Sequence, residues 1–453
     1  MDDHADVVVL GMGPGGEEVA GKLAEAGLDV VGIEKQLLGG ECPYWGCVPS
    51  KMMIRAANLL AEGRRIPGMA GSSTVHPDWT PVARRIRDDA TDNWDDRVAV
   101  ERFEGKGGRF VRGVGVIEAP NRVRAGDYTV TASRALVIGT GTEAAIPPVD
   151  GLAGVAYWIN RDAIETEHVP ASLIVLGGGA IGLELAQMFA RFGSEVTIVE
   201  AMERILSVEE PESSALLSDV LQREGLTVRA NTGAKHVAAD GDAIRVDLDD
   251  GSSVRGNHLL VATGRRADLH SIKAGNAGID ESARWIKVDA TLRAAPGVWA
   301  VGDITGQGAF THVAMYQADI CVDDILGRKA TPADYRALPR VTFTDPEVGA
   351  TGLTESQARE RGVNVRTGST KVSSSARGWI HKAGNDGFIK LIEDADRGVL
   401  VGATSAGPVG GEVLSMLTLA VHAEVPVTTL RHMIYAYPTF HRGVEDALRD
   451  LRG

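Results

Sequence analysis

Four consecutive apolar positions, Val7-Val8-Val9-Leu10, run straight into Gly11-Met12-Gly13-Pro14-Gly15-Gly16. A short unbroken apolar run bounded by glycines predicts a strand buried on both faces, as in parallel sheets. Helical spacing follows to about Ala26, and a second apolar run, Val30-Val31-Gly32-Ile33, ends on Glu34. Strand, glycine turn, helix, strand and terminal acid make one βαβ unit.

The pattern returns 166 residues later. Leu173-Ile174-Val175-Leu176 leads into Gly177-Gly178-Gly179-Ala180-Ile181-Gly182, and Val196-Thr197-Ile198-Val199 ends on Glu200. In both copies 23 residues separate the first glycine from the acid. The period is too long for a solenoid and implies two nucleotide-binding domains. Three further apolar runs end in a glycine turn: Leu136 to Gly141, Leu259 to Gly264 and Val298 to Asp303. Each predicts a parallel strand whose carboxyl end faces ligand, which makes Gly141, Gly264, Gly302 and Asp303 candidate cofactor contacts. Because such runs flank the second βαβ unit, that unit is expected to be inserted into the first domain. The expected boundaries are 1–150 with 275–335 for the first domain and 151–274 for the insert. From 336 to 453 the texture changes to α+β, with sheet around 341–344 and 387–391 and helices near 409–424 and 438–451.

A lone glycine fingerprint says little, but each copy here follows a strand, opens a helix and ends on an acid. Gly11 permits the tight turn, Gly13 lets a pyrophosphate approach the backbone, and Gly16 lets helix pack on strand. The helix start offers free N–H groups and the positive dipole end to phosphate. Gly177, Gly179 and Gly182 repeat these roles, and Glu34 and Glu200 are placed to accept ribose hydroxyls. A carboxylate at Glu200 repels a 2′-phosphate, so NAD(H) is expected over NADP(H), which Arg204 nearby leaves possible.

Composition narrows the classes. The chain has 453 residues, 44% of them apolar, with 55 glycines and a formal net charge of −14. Several cores can be built. The acidic balance disfavours nucleic acid and anionic membranes as partners. No run reaches the length of a spanning helix, and the acidic start MDDHADVVVL lacks a secretory pattern, so a cytoplasmic location is expected. Three cysteines, Cys42, Cys47 and Cys321, cannot form a disulfide framework or a four-sulfur zinc site, and no other metal site is expected. Cys321 lies in a helix-like apolar segment and reads as core.

The segment Gly39-Gly40-Glu41-Cys42-Pro43-Tyr44-Trp45-Gly46-Cys47-Val48-Pro49-Ser50-Lys51 carries two thiols at a turn leading into a helix. A helix start lowers a thiol pKa from about 8.5, yet alone the pair reads equally as two buried free thiols; its place between two dinucleotide fingerprints favours the redox reading. This segment, the twin fingerprints, Val301-Gly302-Asp303 and Thr344 to Gly349 resemble the pyridine nucleotide-disulfide oxidoreductases, which include dihydrolipoamide dehydrogenase, mercuric reductase and the soluble transhydrogenase. The resemblance implies an α/β fold with two Rossmann-like domains, the first for FAD and the inserted one for NAD(P), and a C-terminal α+β domain that forms a homodimer. It implies an enzyme that passes electrons from NADH through FAD and a Cys42–Cys47 disulfide to a small-molecule acceptor. Cys47 would face the flavin and Cys42 would meet the acceptor. Lys51 and Glu184 match the pair beside the flavin, and Asp303 matches the ribityl-binding acid. The segment at Thr311 and His312 would position the flavin.

The chain departs from its relatives where a His-Pro-Thr-x-x-Glu segment is usual. It reads Tyr437-Pro438-Thr439-Phe440-His441-Arg442, so Tyr437 replaces the acid/base histidine and Arg442 its glutamate. A phenol titrates near ~10 against ~6.5 for imidazole, which makes Tyr437 a poor base and a competent donor. His441 is a candidate substitute, and Pro438 is read as the start of a helix that Tyr437 precedes. Plain lipoamide or glutathione is not the expected acceptor. The alternative is a quinone or metal reductase, or a transhydrogenase, in which the cysteines are not the exit route. Tyr44 and Trp45 either pack beneath the flavin domain or narrow the acceptor mouth.

Overall fold

The computed structural model describes residues 2–451. By packing, the chain forms two compact units. One comprises the chain up to Ser50, Ala83–Ala145 and Gly264–Asp334; the other comprises Lys51–Val82, Ile146–Thr263 and the chain from Tyr335.

The first unit is built on an eight-stranded sheet. Five of its strands run parallel in the spatial order Val298–Ala300, Tyr128–Ile138, Asp2–Leu10, Val30–Glu34, Arg109–Arg112. Side chains alternate across such a strand. Val8 and Leu10 enter the core on one face, while Val7 and Val9 enter the core on the other. That second face is covered by the helices Pro14–Glu25 and Thr311–Ile325. Both faces are buried, which accounts for the unbroken apolar run in the sequence. The chain leaves this unit after Ala145 and returns at Gly264. The two crossings pair as a short antiparallel ladder, Ala144 with Arg265 and Glu143 with Arg266. The second nucleotide fold is thus inserted into the first.

The second unit holds a four-stranded parallel sheet, Thr227–Arg229, Glu195–Val199, Ser172–Leu176 and His258–Val261, with a three-stranded antiparallel sheet over residues 234–256. It also holds a five-stranded antiparallel sheet in the order Pro339–Thr342, Glu347–Gly352, Val399–Gly407, Phe388–Asp394, Val365–Lys371. Leu391, Leu414, Leu417, Val444 and Leu448 bury this sheet against the helices Gly410–His422 and Gly443–Arg449. By packing, the insert and the C-terminal segment fall in one compact unit. Ion pairs with little access to water tie them: Arg191 bonds Asp345 at 2.8 Å, and Lys390 bonds Glu210 at 2.9 Å.

The helix read near 438–451 is shorter than expected and spans Gly443–Arg449. Thr439 explains the difference. Its hydroxyl donates to the Ala436 carbonyl at 2.8 Å and accepts the Arg442 N–H at 3.2 Å, which holds 436–442 in turns. Pro438 therefore sits in a turn and opens no helix.

Candidate active site

The glycines of the first fingerprint divide into two kinds. A Cβ at Gly16 would lie 2.0 Å from the Gly11 carbonyl oxygen, and one at Gly11, whose φ is +89°, would meet Gly139 at 2.6 Å. These two glycines let helix and strands approach. A Cβ at Gly13 would meet nothing within 4 Å. Gly13 precedes the helix Pro14–Glu25, so its open side faces the free N–H groups of the first turn. Glu34 closes the turn, accepting the Met12 N–H at 2.8 Å and the Gln36 N–H at 2.8 Å.

In the second unit the same arrangement recurs. A Cβ at Gly182 would lie 2.1 Å from the Gly177 oxygen, one at Gly177 would lie 2.3 Å from the Ala262 oxygen, and one at Gly179 would meet nothing. Glu200 accepts the Gly178 N–H at 2.6 Å and the Met202 N–H at 2.7 Å. Each acid thus fixes its glycine loop and keeps spare lone pairs for a ligand. Arg204 is spent on its own loop, donating to Ser214 Oγ at 2.6 Å and to the Ser207 carbonyl at 2.8 Å.

The thiols lie in the first unit. Cys42 is in the short helix Glu41–Tyr44, and Cys47 opens the 19-residue helix Cys47–Arg65. Both are free thiols, Cys42 half-buried and Cys47 exposed. The Cys42 thiol is pushed up by its hydrogen bond to Cys47, by burial and by the charge on Cys47. Cys47 Sγ lies 3.4 Å from Thr311 Oγ1 and at the positive end of its helix. The two sulfurs are thus unlike: Cys42 is covered and its thiol is held up, while Cys47 is exposed at a helix start beside a hydroxyl.

Glu41, beside Cys42, is held at 3.2 Å by Arg265. Arg265 also donates to Thr142 Oγ1 at 2.7 Å, and that hydroxyl donates to Asp303 Oδ2 at 3.1 Å. Burial pushes the Asp303 carboxyl up despite the pull of Arg265 and Thr142. Gly141, Gly264 and Gly302 have φ of +66°, +120° and +82°, conformations that favour glycine at these three turns. In the second unit Lys51, four residues on from Cys47 in the same helix, donates to Glu184 Oε2 at 2.8 Å and stands 4.7 Å from the centre of the Phe343 ring. Glu184 Oε1 accepts the Phe343 N–H at 2.8 Å, so both of its oxygens are engaged.

The C-terminal candidates are not brought together. Tyr437 is 69% exposed, with the Arg442 guanidinium 5.4 Å from its ring centre. His441 turns Nε2 to Met416 Sδ at 3.0 Å and its ring to Tyr435, and burial lowers its pKa. Tyr44 and Trp45 are 6% and 8% exposed and are buried in the packing of the first unit. Cys321 is fully buried, as expected. Thr311 as the Cys47 partner, Phe343 under Lys51, and the Arg265–Thr142 relay escaped sequence reasoning. Only Thr311 left a signal, as a hydroxyl at the start of a helix beside a glycine turn.

Residues 5–318 match the family described as pyridine nucleotide-disulphide oxidoreductase, and residues 338–448 match its dimerisation domain. The chain is 32% identical to the dihydrolipoyl dehydrogenase of Thermus scotoductus over 462 residues, covering 98% of this chain and 97% of the other. It is 32% identical to the mercuric reductase of Streptomyces lividans over 445 residues, covering 96% and 93%. The HOCl-induced flavoprotein disulfide reductase RclA from Escherichia coli superimposes with a TM-score of 0.85 at 26% identity, covering 98% and 99%. With its two fingerprints, its close thiol pair and this full-length likeness, the chain belongs to the pyridine nucleotide-disulphide oxidoreductases, enzymes that use FAD and NAD(P)H.

Proposed function

We propose that the protein is a homodimeric, NADH-preferring oxidoreductase that reduces a small-molecule disulfide or related two-electron acceptor through Cys42 and Cys47. The observation that carries this reading is the thiol pair itself, with half-buried Cys42 hydrogen-bonded to Cys47 and Cys47 at a helix start beside Thr311.

The residues of the first unit suit FAD. Open space at Gly13 fits a pyrophosphate over the first helical turn, and Glu34 suits ribose hydroxyls. Asp303, raised by burial, is short of donors, and a ribityl hydroxyl would supply one. Gly141 and Gly302 would let the backbone approach the cofactor, and on the family resemblance the Lys51–Glu184 pair is assigned to the flavin as a fixed positive charge. FAD bound there supplies the two-electron exchange with a nicotinamide nucleotide. Gly177, Gly179, Gly182 and Glu200 would hold that nucleotide, with Gly264 at the return crossing. Arg204, already committed to Ser214 and Ser207, is not free to take a 2′-phosphate, which supports NADH.

At the sulfurs, Cys42 gives up its proton and attacks one sulfur of the acceptor. The acceptor S–S bond breaks, the departing thiol takes the proton, and a mixed disulfide forms. Cys47 then displaces the second thiol and closes the Cys42–Cys47 disulfide. Two electrons have left the dithiol, and NADH is the source that replaces them. Tyr437 would serve as a hydrogen-bond donor to the acceptor.

The test is an anaerobic NADH titration with the Cys42→Ala and Cys47→Ala variants. Wild type should show a long-wavelength thiolate–flavin band and lose it on Cys47→Ala. Cys42→Ala should abolish acceptor turnover while keeping NADH-driven bleaching of the flavin. Undiminished turnover in Cys42→Ala would favour the second reading, reduction of a quinone, metal ion or second nucleotide away from the thiols. That reading draws on a single observation, a phenol in place of the usual imidazole at 437.

A further inference from the structure

We propose that the second unit carries an oxyanion-binding pocket, lined by none of the thiol or glycine-turn residues, that takes a small phosphate- or carboxylate-bearing molecule. The cavity has a volume of about 270 Å³. On one side it is lined by Arg55, Asn58, Glu62 and Arg65, spaced three and four apart along the helix Cys47–Arg65 and so on one face of it. Opposite stand Arg377 and His381, four apart in the helix Ala376–His381, with Phe440 between them. The Phe440 ring lies 5.4 Å from the Arg377 guanidinium and 5.4 Å from the His381 ring, so it orients both.

The charges do not balance inside the protein. Arg65 takes up both carboxylates of the pocket, Glu62 at 2.6 Å and Asp345 at 2.7 Å, and Asp345 is bonded by Arg191 as well. Among the described residues Arg55 and Arg377 have no carboxylate partner. Asn58 spends its carbonyl on Arg191 at 2.6 Å, which leaves its amide donors over. The cavity therefore presents two guanidiniums without a carboxylate partner, an amide N–H pair and an imidazole, and both of its carboxylates are already bonded to Arg65. A ligand that completes it must bring several acceptors and negative charge, and guanidinium forks match phosphate and carboxylate geometry. At roughly 30 Å³ per water, the space holds about nine waters, enough for inorganic phosphate or a tricarboxylate and too small for a dinucleotide.

The experiment uses FAD-loaded enzyme saturated with NAD+, so that neither nucleotide turn competes. Inorganic phosphate and citrate are titrated separately by calorimetry at constant ionic strength, with chloride as the reference. Saturable binding of one anion at one site per chain is expected; tighter phosphate points to a phosphorylated ligand and tighter citrate to a polycarboxylate. Arg55→Gln with Arg377→Gln should weaken that binding at least tenfold. Arg55→Lys, which keeps the charge and loses the fork, should weaken it less and guards against a folding artefact. An absence of saturable binding over chloride, or unchanged affinity in a folded double variant, would overturn the proposal.

Discussion

Gly179 and Gly182 lie three residues apart in one turn, and their substitution by alanine should fail in opposite ways. At Gly182 the new Cβ would sit 2.1 Å from the Gly177 oxygen, where about 3.3 Å is the close limit for such a pair. Backbone has to separate by roughly 1 Å, and overpacking of this kind costs about 1–3 kcal/mol. For a domain of this size that lowers Tm by roughly 2–10 °C. At Gly179 the Cβ meets no protein atom, and the φ of −82° and ψ of 179° are open to any residue. The fold should lose about 1 kcal/mol or less there, through a poorer helix cap. The methyl group would instead stand where a pyrophosphate needs to reach the backbone, so NADH affinity should fall at least tenfold. Thermal melts of nucleotide-free, FAD-loaded enzyme and a fluorescence titration with NADH separate the two effects. Gly179→Ala with NADH affinity within twofold of wild type, or with a melt as low as that of Gly182→Ala, would refute the division of labour.

Three further outcomes follow from the electrostatics. Because the Cys42 thiol is raised, its reactive thiolate grows about tenfold per pH unit, so kcat/KM for a disulfide acceptor should climb steadily from pH 6 to 9; a plateau near pH 7 would contradict this. Tyr437→His supplies a group that titrates near ~6.5, and should raise the rate at pH 7 at least tenfold and introduce that plateau, whereas an unchanged profile would place residue 437 outside the reaction. Asp345→Asn leaves Arg191, whose side chain is 3% exposed, without one of its two carboxylates, and should cost about 3–5 kcal/mol by denaturant melt. Burial pushes Asp345 up, but Arg191 and Arg65 together hold it below the ordinary carboxylate range. Its contribution is therefore present above about pH 4 and lost as pH falls further, so the acid limb of stability should flatten in the variant.

What the sequence disclosed and what it hid have one physical origin. The strand at Val7–Leu10, the glycine turns and the acids Glu34 and Glu200 are local patterns, because each is held by residues within about one βαβ unit. The partners that give the site its chemistry are remote: Thr311 reaches Cys47 across 264 positions, Glu184 reaches Lys51 across 133, and Asp345 reaches Arg65 across 280. Nothing in spacing announces such pairs. The helix Cys47–Arg65 shows the consequence. Read alone, Lys51, Arg55, Asn58, Glu62 and Arg65 form a polar stripe that belongs in water. In the fold three members of that stripe find partners, Lys51 with Glu184, Asn58 with Arg191 and Arg65 with Asp345, while Arg55 and Glu62 stay exposed along the cavity. The face that looked like solvent is thus the one that joins the helix of Cys47 to the helix Ala180–Arg191, which the second glycine turn opens. A stripe of charges is informative only once its partners are known, and here Glu184, Arg191 and Asp345 turn part of it into a packing contact.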